Sequence, residues 1–97
     1  MPRPRRCRRV GFNPRITYFK PAGVPLVNLE EIILNVEEFE ALRLIDLEEI
    51  EQSKAGEMMK VSQPTLSRIL QSARKKISHA IINGKAIKIE GGNYKFR

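Results

Sequence analysis

The sequence predicts a mainly α-helical fold: a small helical bundle built on a helix-turn-helix, with an extended basic N-terminal arm and a C-terminal β-hairpin. Three observations predict it. Apolar residues recur at steps of three and four over 36–48 and 62–82, with a shorter helical stretch between them. Residues 2–27 hold Pro2, Pro4, Pro14, Pro21 and Pro25 together with Gly11 and Gly23, which excludes a regular helix there. The last residues alternate apolar and polar side chains around Gly91-Gly92. A chain of 97 residues makes one domain, divided as a Pro-rich arm (1–27), a helix-turn-helix unit (28–85) and a hairpin (86–97).

Along the arm, Met1 to Arg9 is expected to be mobile, while Phe12, Tyr18 and Phe19 pin the later part against a core. Asn28 is placed to cap a short turn or helix over Leu29 to Leu34, with Glu30 and Glu31 at the positive end of its dipole. Asn35 and Glu38 have the spacing of a capping box, and Val36, Phe39, Leu42 and Ile45 recur every third residue, so a helix runs from Val36 to about Glu48. Ala41 and Leu44 widen its apolar face, as expected at the centre of a bundle. A short helix follows over Glu51 to Met59, with Ala55, Met58 and Met59 inward. After a break at Lys60 to Ser62, Ser62 serves as N-cap and Pro64 falls in the first turn, where its missing N–H costs nothing. Leu66, Ile69, Leu70, Ala73, Ile77, Ala80 and Ile81 then hold one face to about Ile82, and Asn83-Gly84 ends the helix. Ile87 and Ile89 are read as one strand of the hairpin, Tyr94 and Phe96 as the return.

Charge narrows the function. The formal charge is +7, and it is sorted: seven basic and no acidic residues up to Lys20, three basic against ten acidic from Pro21 to Lys60, and eight basic against Glu90 alone beyond. Basic ends around an acidic middle suit a protein that meets polyphosphate with one face. Solvated helix faces are the alternative for any single block. Cys7 is the only cysteine, so no internal disulfide can form, and a reducing compartment fits. No apolar run reaches about 18 residues and no signal-peptide pattern opens the chain, so a cytoplasmic protein without a membrane partner is expected.

The segment Gln52 to Gln71 has the grammar of a helix-turn-helix. Gly56 lies where two helix backbones must approach, and Ala55, Met59, Val61, Leu66 and Ile69 plug the corner. With those turned inward, Gln63, Pro64, Thr65, Ser67, Arg68 and Gln71 point out as base-reading candidates. Arg68 can donate two bonds to guanine, Gln63 or Gln71 can pair with adenine, and Thr65 offers a methyl to thymine. Ser62, Lys60, Ser72, Arg74 and Lys75 are the backbone-contact candidates; Lys76 reads equally as a solvated helix end. Lys60 stands where such turns commonly carry glycine, and a left-handed conformation there costs on the order of 1 kcal/mol.

The stretch Asn35 to Ile82, with "EALRLIDLEEIEQSKAGEMMKVSQPTLSRILQSARKKISHAI", resembles the region 4 helix-turn-helix of extracytoplasmic-type sigma factors. The whole chain is similar to a family of small prokaryotic predicted DNA-binding proteins, domain-of-unknown-function family 134, through its "PRPRRCRRV" start, "YFKPAGVPL" segment, helix-turn-helix and "NGKAIKIEGGNYKF" end. The resemblance covers nearly the full length. It implies a sigma region 4-like or winged-helix-like fold and double-stranded DNA as partner.

Arg3, Arg5, Arg6, Arg8 and Arg9, extended by prolines, suit a minor-groove arm; a solubilising tail is the alternative. The hairpin reads as a wing carrying Lys88 and Lys95 or as an edge pairing with a second chain, and a homodimer would extend the few bases one helix reads. An enzyme is not expected: one histidine, His79, one cysteine and one aspartate, Asp46, are a thin inventory, and no cofactor or metal site is expected either. Cys7 among arginines would have a lowered pKa, which raises a redox role as a hypothesis, with an incidental cysteine as the plainer account. A sequence-specific DNA-binding transcription regulator is the leading reading. An RNA- or ribosome-associated protein and an adaptor contacting RNA polymerase are the rivals, though few aromatic residues are present to stack on single strands.

Overall fold

The computed structural model describes residues 8–96. Its elements are strands β1 (Arg8–Val10), β2 (Tyr18–Phe19) and β3 (Glu31–Leu34), helix α1 (Val36–Ala41), a π-helical segment (Leu42–Leu47), helices α2 (Gln52–Met59) and α3 (Gln63–Asn83), and strands β4 (Ala86–Ile89) and β5 (Tyr94–Phe96). Helices make up most of the regular structure, and short strands flank them.

The helices form for local reasons. Asn35 and Glu38 close the capping box: the Asn35 side chain accepts from the Glu38 N–H at 2.8 Å, and the Asn35 N–H donates to Glu38 Oε1 at 3.0 Å. Beyond Ala41 the helix widens, so that the Glu48 N–H donates to the Arg43 carbonyl at 2.9 Å, five residues back. The Ser62 hydroxyl caps α3 by accepting from the Thr65 N–H at 3.3 Å, and Gly84 ends α3 with φ +64°.

Two apolar clusters share Leu42. One joins Ala41, Leu44, Ala55, Met59, Leu66 and Leu70 between α1, α2 and α3. The other joins Val10, Leu34, Val36, Ala73 and Ile89, where the strands meet α1 and α3. Leu44, Met59 and Leu66 are fully buried, and so is Val10, which fixes β1 to the body of the protein.

Three expectations from the sequence are corrected. Leu29 to Leu34 is not helical: a 3-10 turn over Leu26–Asn28 precedes β3, which pairs in parallel with β4, Ile32 opposite Ile87 and Leu34 opposite Ile89. The apolar run Ile32-Ile33-Leu34 gains more from this half-buried pairing than from one isolated helical turn. The tail is not a hairpin. β4 lies between β2 and β3, while β5 pairs in parallel with β1, Arg8 opposite Tyr94 and Val10 opposite Phe96. Gly91 and Gly92, at φ +75° and +108°, carry the chain across the start of α1 instead, and a Cβ on Gly92 would lie 3.1 Å from Glu37 Oε1. Finally, Arg8 and Arg9 are strand residues, not a mobile arm. The segments before and after the helices thus pair with each other.

Three carboxylates within one turn of α1 are buried, Glu37, Glu38 and Glu40. Glu40 is fully buried; it takes two bonds from Arg43, at 2.8 and 3.1 Å, and one from the Gly11 N–H at 2.7 Å. Removing one partner of a buried pair leaves the other uncompensated, so Glu40→Ala is expected to cost about 3 to 5 kcal/mol. Glu48→Ala, which removes the exposed partner of the same arginine, is expected to cost under about 1 kcal/mol. Urea denaturation of both variants checks the contrast, and equal losses would refute it.

Candidate nucleic-acid interface

The corner between α2 and α3 is built from backbone. The Lys60 N–H donates to the Glu57 carbonyl at 3.1 Å and the Val61 N–H to the Gly56 carbonyl at 2.9 Å, the paired bonds of a Schellman stop. Lys60 takes the left-handed conformation, φ 55° and ψ 48°, at the position where such turns commonly carry glycine. Gly56 is required here, since a Cβ would stand 3.1 Å from the Val61 carbonyl oxygen. Ala55, Met59 and Leu66 seal the corner, and the chain re-enters a helix two residues after the turn.

This corner fixes what α3 shows to solvent. Pro64, Arg68, Gln71 and Lys75 follow one another at steps of three and four along an exposed stripe, with Gln63 exposed at its start. Among the described residues, Gln63, Arg68, Gln71 and Lys75 have no hydrogen-bond or ion-pair partner. Thr65 and Ser67 are half-buried at the side of the stripe, and Thr65 Oγ1 accepts from Ser62 Oγ at 3.0 Å. Lys60 is exposed at the turn.

Other candidates are engaged elsewhere. Ser72 Oγ donates to Glu38 Oε2 at 2.5 Å, so this hydroxyl ties α3 to α1 and is not a free backbone contact. Lys76 Nζ lies 2.7 Å from Glu38 Oε1, an ion pair in place of the solvated helix end. Arg74 pairs with Asp46 through two bonds, at 2.5 and 3.1 Å. That contact raises the pKa of Arg74 and lowers that of Asp46, in both cases chiefly through the hydrogen bonds between them. Ser62 spends its hydroxyl on the cap. Of the minor-groove candidates, Arg8 sits with Nε 3.1 Å from Glu37 Oε2 and only 17% of its side chain exposed, so it cannot enter a groove without breaking this pair. Arg9 is half-buried in β1. Arg3, Arg5, Arg6 and Cys7 lie outside the described residues.

Asp46 and Glu38 were missed as the anions that engage the basic end of α3. A signal for the buried carboxylates did exist: Glu37 and Glu40 stand four residues before Ala41 and Leu44, hence on their buried face. Among the described residues no cluster of three or more His, Cys, Asp or Glu could hold a metal ion, and no helix is long and apolar enough to cross a membrane.

The profile of the family described as "Protein of unknown function DUF134" matches residues 1–97. The chain belongs to that family. Among its relatives are a UPF0251 protein of Thermoanaerobacter pseudethanolicus, 59% identical over 98% of this chain and 80% of its own length, and one of Caldanaerobacter subterraneus, 61% identical over the same shares. A longer relative in Desulforudis audaxviator is 57% identical over 99% of this chain and 63% of its own length. No solved structure matches the chain.

Two predictions follow from the corner of this family member and from its outer ion pair. Lys60→Gly is expected to raise stability by up to about 1 kcal/mol by relieving the left-handed residue, and the β-branched Lys60→Val to lower it, both read by thermal unfolding. The opposite order would mean that the turn is not strained. The Asp46 carboxylate, with its pKa lowered in the folded state, contributes stability that is present above the ordinary carboxylate range and lost as pH falls through the lowered value. The pair is well exposed, so the gap between the wild type and Asp46→Asn should be under about 1 kcal/mol at neutral pH. It should close in acid; a gap indifferent to pH would count against the pairing.

Proposed function

We propose that this protein binds double-stranded DNA sequence-specifically and regulates transcription in the cytoplasm, with α2 and α3 as a helix-turn-helix and α3 as the reading helix. The observation that carries this is the unpartnered stripe on α3, presented directly after a close-packed, glycine-dependent corner. An α-helix fits the major groove, where each base pair shows a distinct pattern of donors and acceptors. Arg68 offers the planar fork that matches guanine O6 and N7, and Gln63 and Gln71 offer the paired donor and acceptor that match adenine. Thr65 and Ser67 flank them, and Pro64 keeps the first turn rigid. Lys60 at the turn and Lys75 at the far end of the stripe suit the phosphates on either side. The strands packed against α1 and α3 would make this a winged-helix-like variant of the motif. The sigma region 4-like stretch supports the reading without supplying a target sequence.

Selection of sites from a random duplex library at near-physiological salt tests it. The wild type should recover a motif, and Arg68→Ala should lose roughly 1 to 3 kcal/mol on that site with relaxed preference at one position. Lys75→Ala should instead weaken all duplexes alike and lower the salt dependence by about one phosphate contact. A palindromic motif would add a homodimer. Sequence-blind binding that Arg68→Ala leaves unchanged would overturn the proposal.

A further inference from the structure

We propose that the recess between α3 and β3 holds one phosphate of the nucleic-acid backbone between Lys75, Lys76 and His79, and that it binds more tightly once His79 carries a proton. This rests on the reading of α3 as the helix that enters duplex DNA, and it adds a phosphate site and a dependence on pH. The recess has a volume of about 300 Å³ and is lined by Ile32, Ser72, Lys75, Lys76 and His79. Among the described residues no acidic side chain lines it. Its floor is a consequence of β3: strand residues alternate between faces, so Ile32 turns in under α3 while Glu31 and Ile33 on either side are exposed. Its position follows from helical spacing. Lys75 and His79 stand seven and eleven positions beyond Arg68. At about 100° per residue both return to within about 20° of the direction of Arg68, roughly 10 and 16 Å farther along the axis. The line that carries Arg68 therefore runs into the recess. The major groove is about 12 Å wide, so with Arg68 at a base edge His79 comes level with the phosphates of the groove wall.

Donors are available in the recess. Lys76 Nζ lies 2.7 Å from Glu38 Oε1, but an ammonium carries three N–H donors and this contact takes one. Lys75 has no hydrogen-bond or ion-pair partner among the described residues. The His79 ring makes no hydrogen bond among them either, since Asn83 Nδ2 donates to the His79 carbonyl, at 3.0 Å, and not to the ring. The charged groups around the ring are Lys75 and Lys76 of its own helix, with Glu38 of α1 against Lys76, and Glu30 and Lys85 ahead of β3 and β4. Glu30 is held below the ordinary carboxylate range first by Lys85 and in smaller part by His79, which puts the ring within electrostatic reach of it. Lys85 Nζ balances that carboxylate at 2.8 Å, as Lys76 balances Glu38. With neutral His79 the recess thus shows an anion the net charge of Lys75 alone, and with protonated His79 twice that. Histidine is the side chain that ordinarily makes this change between about pH 5 and 8.

Fluorescence anisotropy of a labelled random-sequence duplex, measured over a range of salt at about pH 5.5 and about pH 8, tests the site with the full chain and with His79→Gln and His79→Lys. The wild type should bind about three- to tenfold more tightly in acid at physiological salt, and its salt dependence should steepen by about 0.9, the increment for one phosphate. His79→Gln should lose most of that gain, whereas His79→Lys should bind tightly at both pH values. His79 is exposed, so all three should unfold at closely similar temperatures and a loss of binding would not be a loss of fold. An acid gain that His79→Gln keeps in full would overturn the phosphate site while leaving DNA binding by α3 intact. No duplex binding at either pH would overturn the reading of α3 and the site with it. Inorganic phosphate, titrated at constant ionic strength and followed by the NMR signals of the His79 ring, separates the sources. Saturation by the free ion without duplex binding would overturn the backbone as occupant, as would poly-L-glutamate that binds as tightly as the duplex with the same loss in His79→Gln.

Discussion

The N-terminal strand, the tail and α3 are all tied to the three carboxylates that α1 buries within one turn. A carboxylate out of water is tolerated only when its lone pairs meet donors, and each of these meets donors from a different stretch of chain. Glu37 receives Arg8 from β1 and the Asn93 N–H from the tail; Glu38 receives the start of its own helix together with Ser72 and Lys76 of α3; Glu40 receives Arg43 and the Gly11 N–H. Strands of two to four residues cannot hold themselves together in water. Here β1 and β5 are anchored on α1 through Arg8 and Asn93, so the helix supplies the stability that the strands lack.

The same turn sets the rotation of α3. Ser72 and Lys76 are held against Glu38, and residues on a helix are spaced about 100° apart around its axis. Fixing positions 72 and 76 toward α1 therefore turns Pro64, Arg68, Gln71 and Lys75 about a quarter turn away and out to solvent, as their exposure shows. The corner at Gly56 and Lys60 fixes where α3 begins, and the Glu38 contacts fix which way it faces. The outward stripe is thus a product of two separate restraints, one of backbone shape and one of charge.

What could be read from the sequence is what is decided locally. The capping box at Asn35, the close approach at Gly56, the Ser62 cap and the Gly84 stop each depend on residues within a few positions of one another, and all are present. β4 and β5 were legible as strands from the alternation at Ile87, Ile89, Tyr94 and Phe96, but β3 and the pairing of the strands were not, because the partners are distant: Ile32 pairs with Ile87, and Arg8 with Tyr94. A short apolar run such as Ile32-Ile33-Leu34 has no period that separates helix from strand, and Gly91-Gly92 mimics a hairpin turn while bridging to another sheet. The candidate site divides along the same line. Exposure of Gln63, Arg68 and Gln71 follows from helical periodicity, but the engagement of Ser72, Arg74 and Arg8 depends on acidic partners 28 to 34 positions away or, for Arg8, on the first turn of α1.

The two populations of charge in this protein also respond differently to their surroundings. The carboxylates of α1 and the partners they hold are largely shielded from solvent, and dissolved salt screens such pairs little. Arg68 and Lys75 lie in water, where at physiological ionic strength charges fade over about 8 Å. Salt that weakens attraction between the α3 stripe and a polyanion would therefore leave the rotation of α3 in place. The restraints on α3 lie within the fold and need no bound partner, which is the condition under which side chains such as Arg68 and Gln71 could discriminate between partners by geometry as well as by charge. Had the stripe been positioned by exposed ion pairs alone, a rise in salt would also have loosened the orientation of α3.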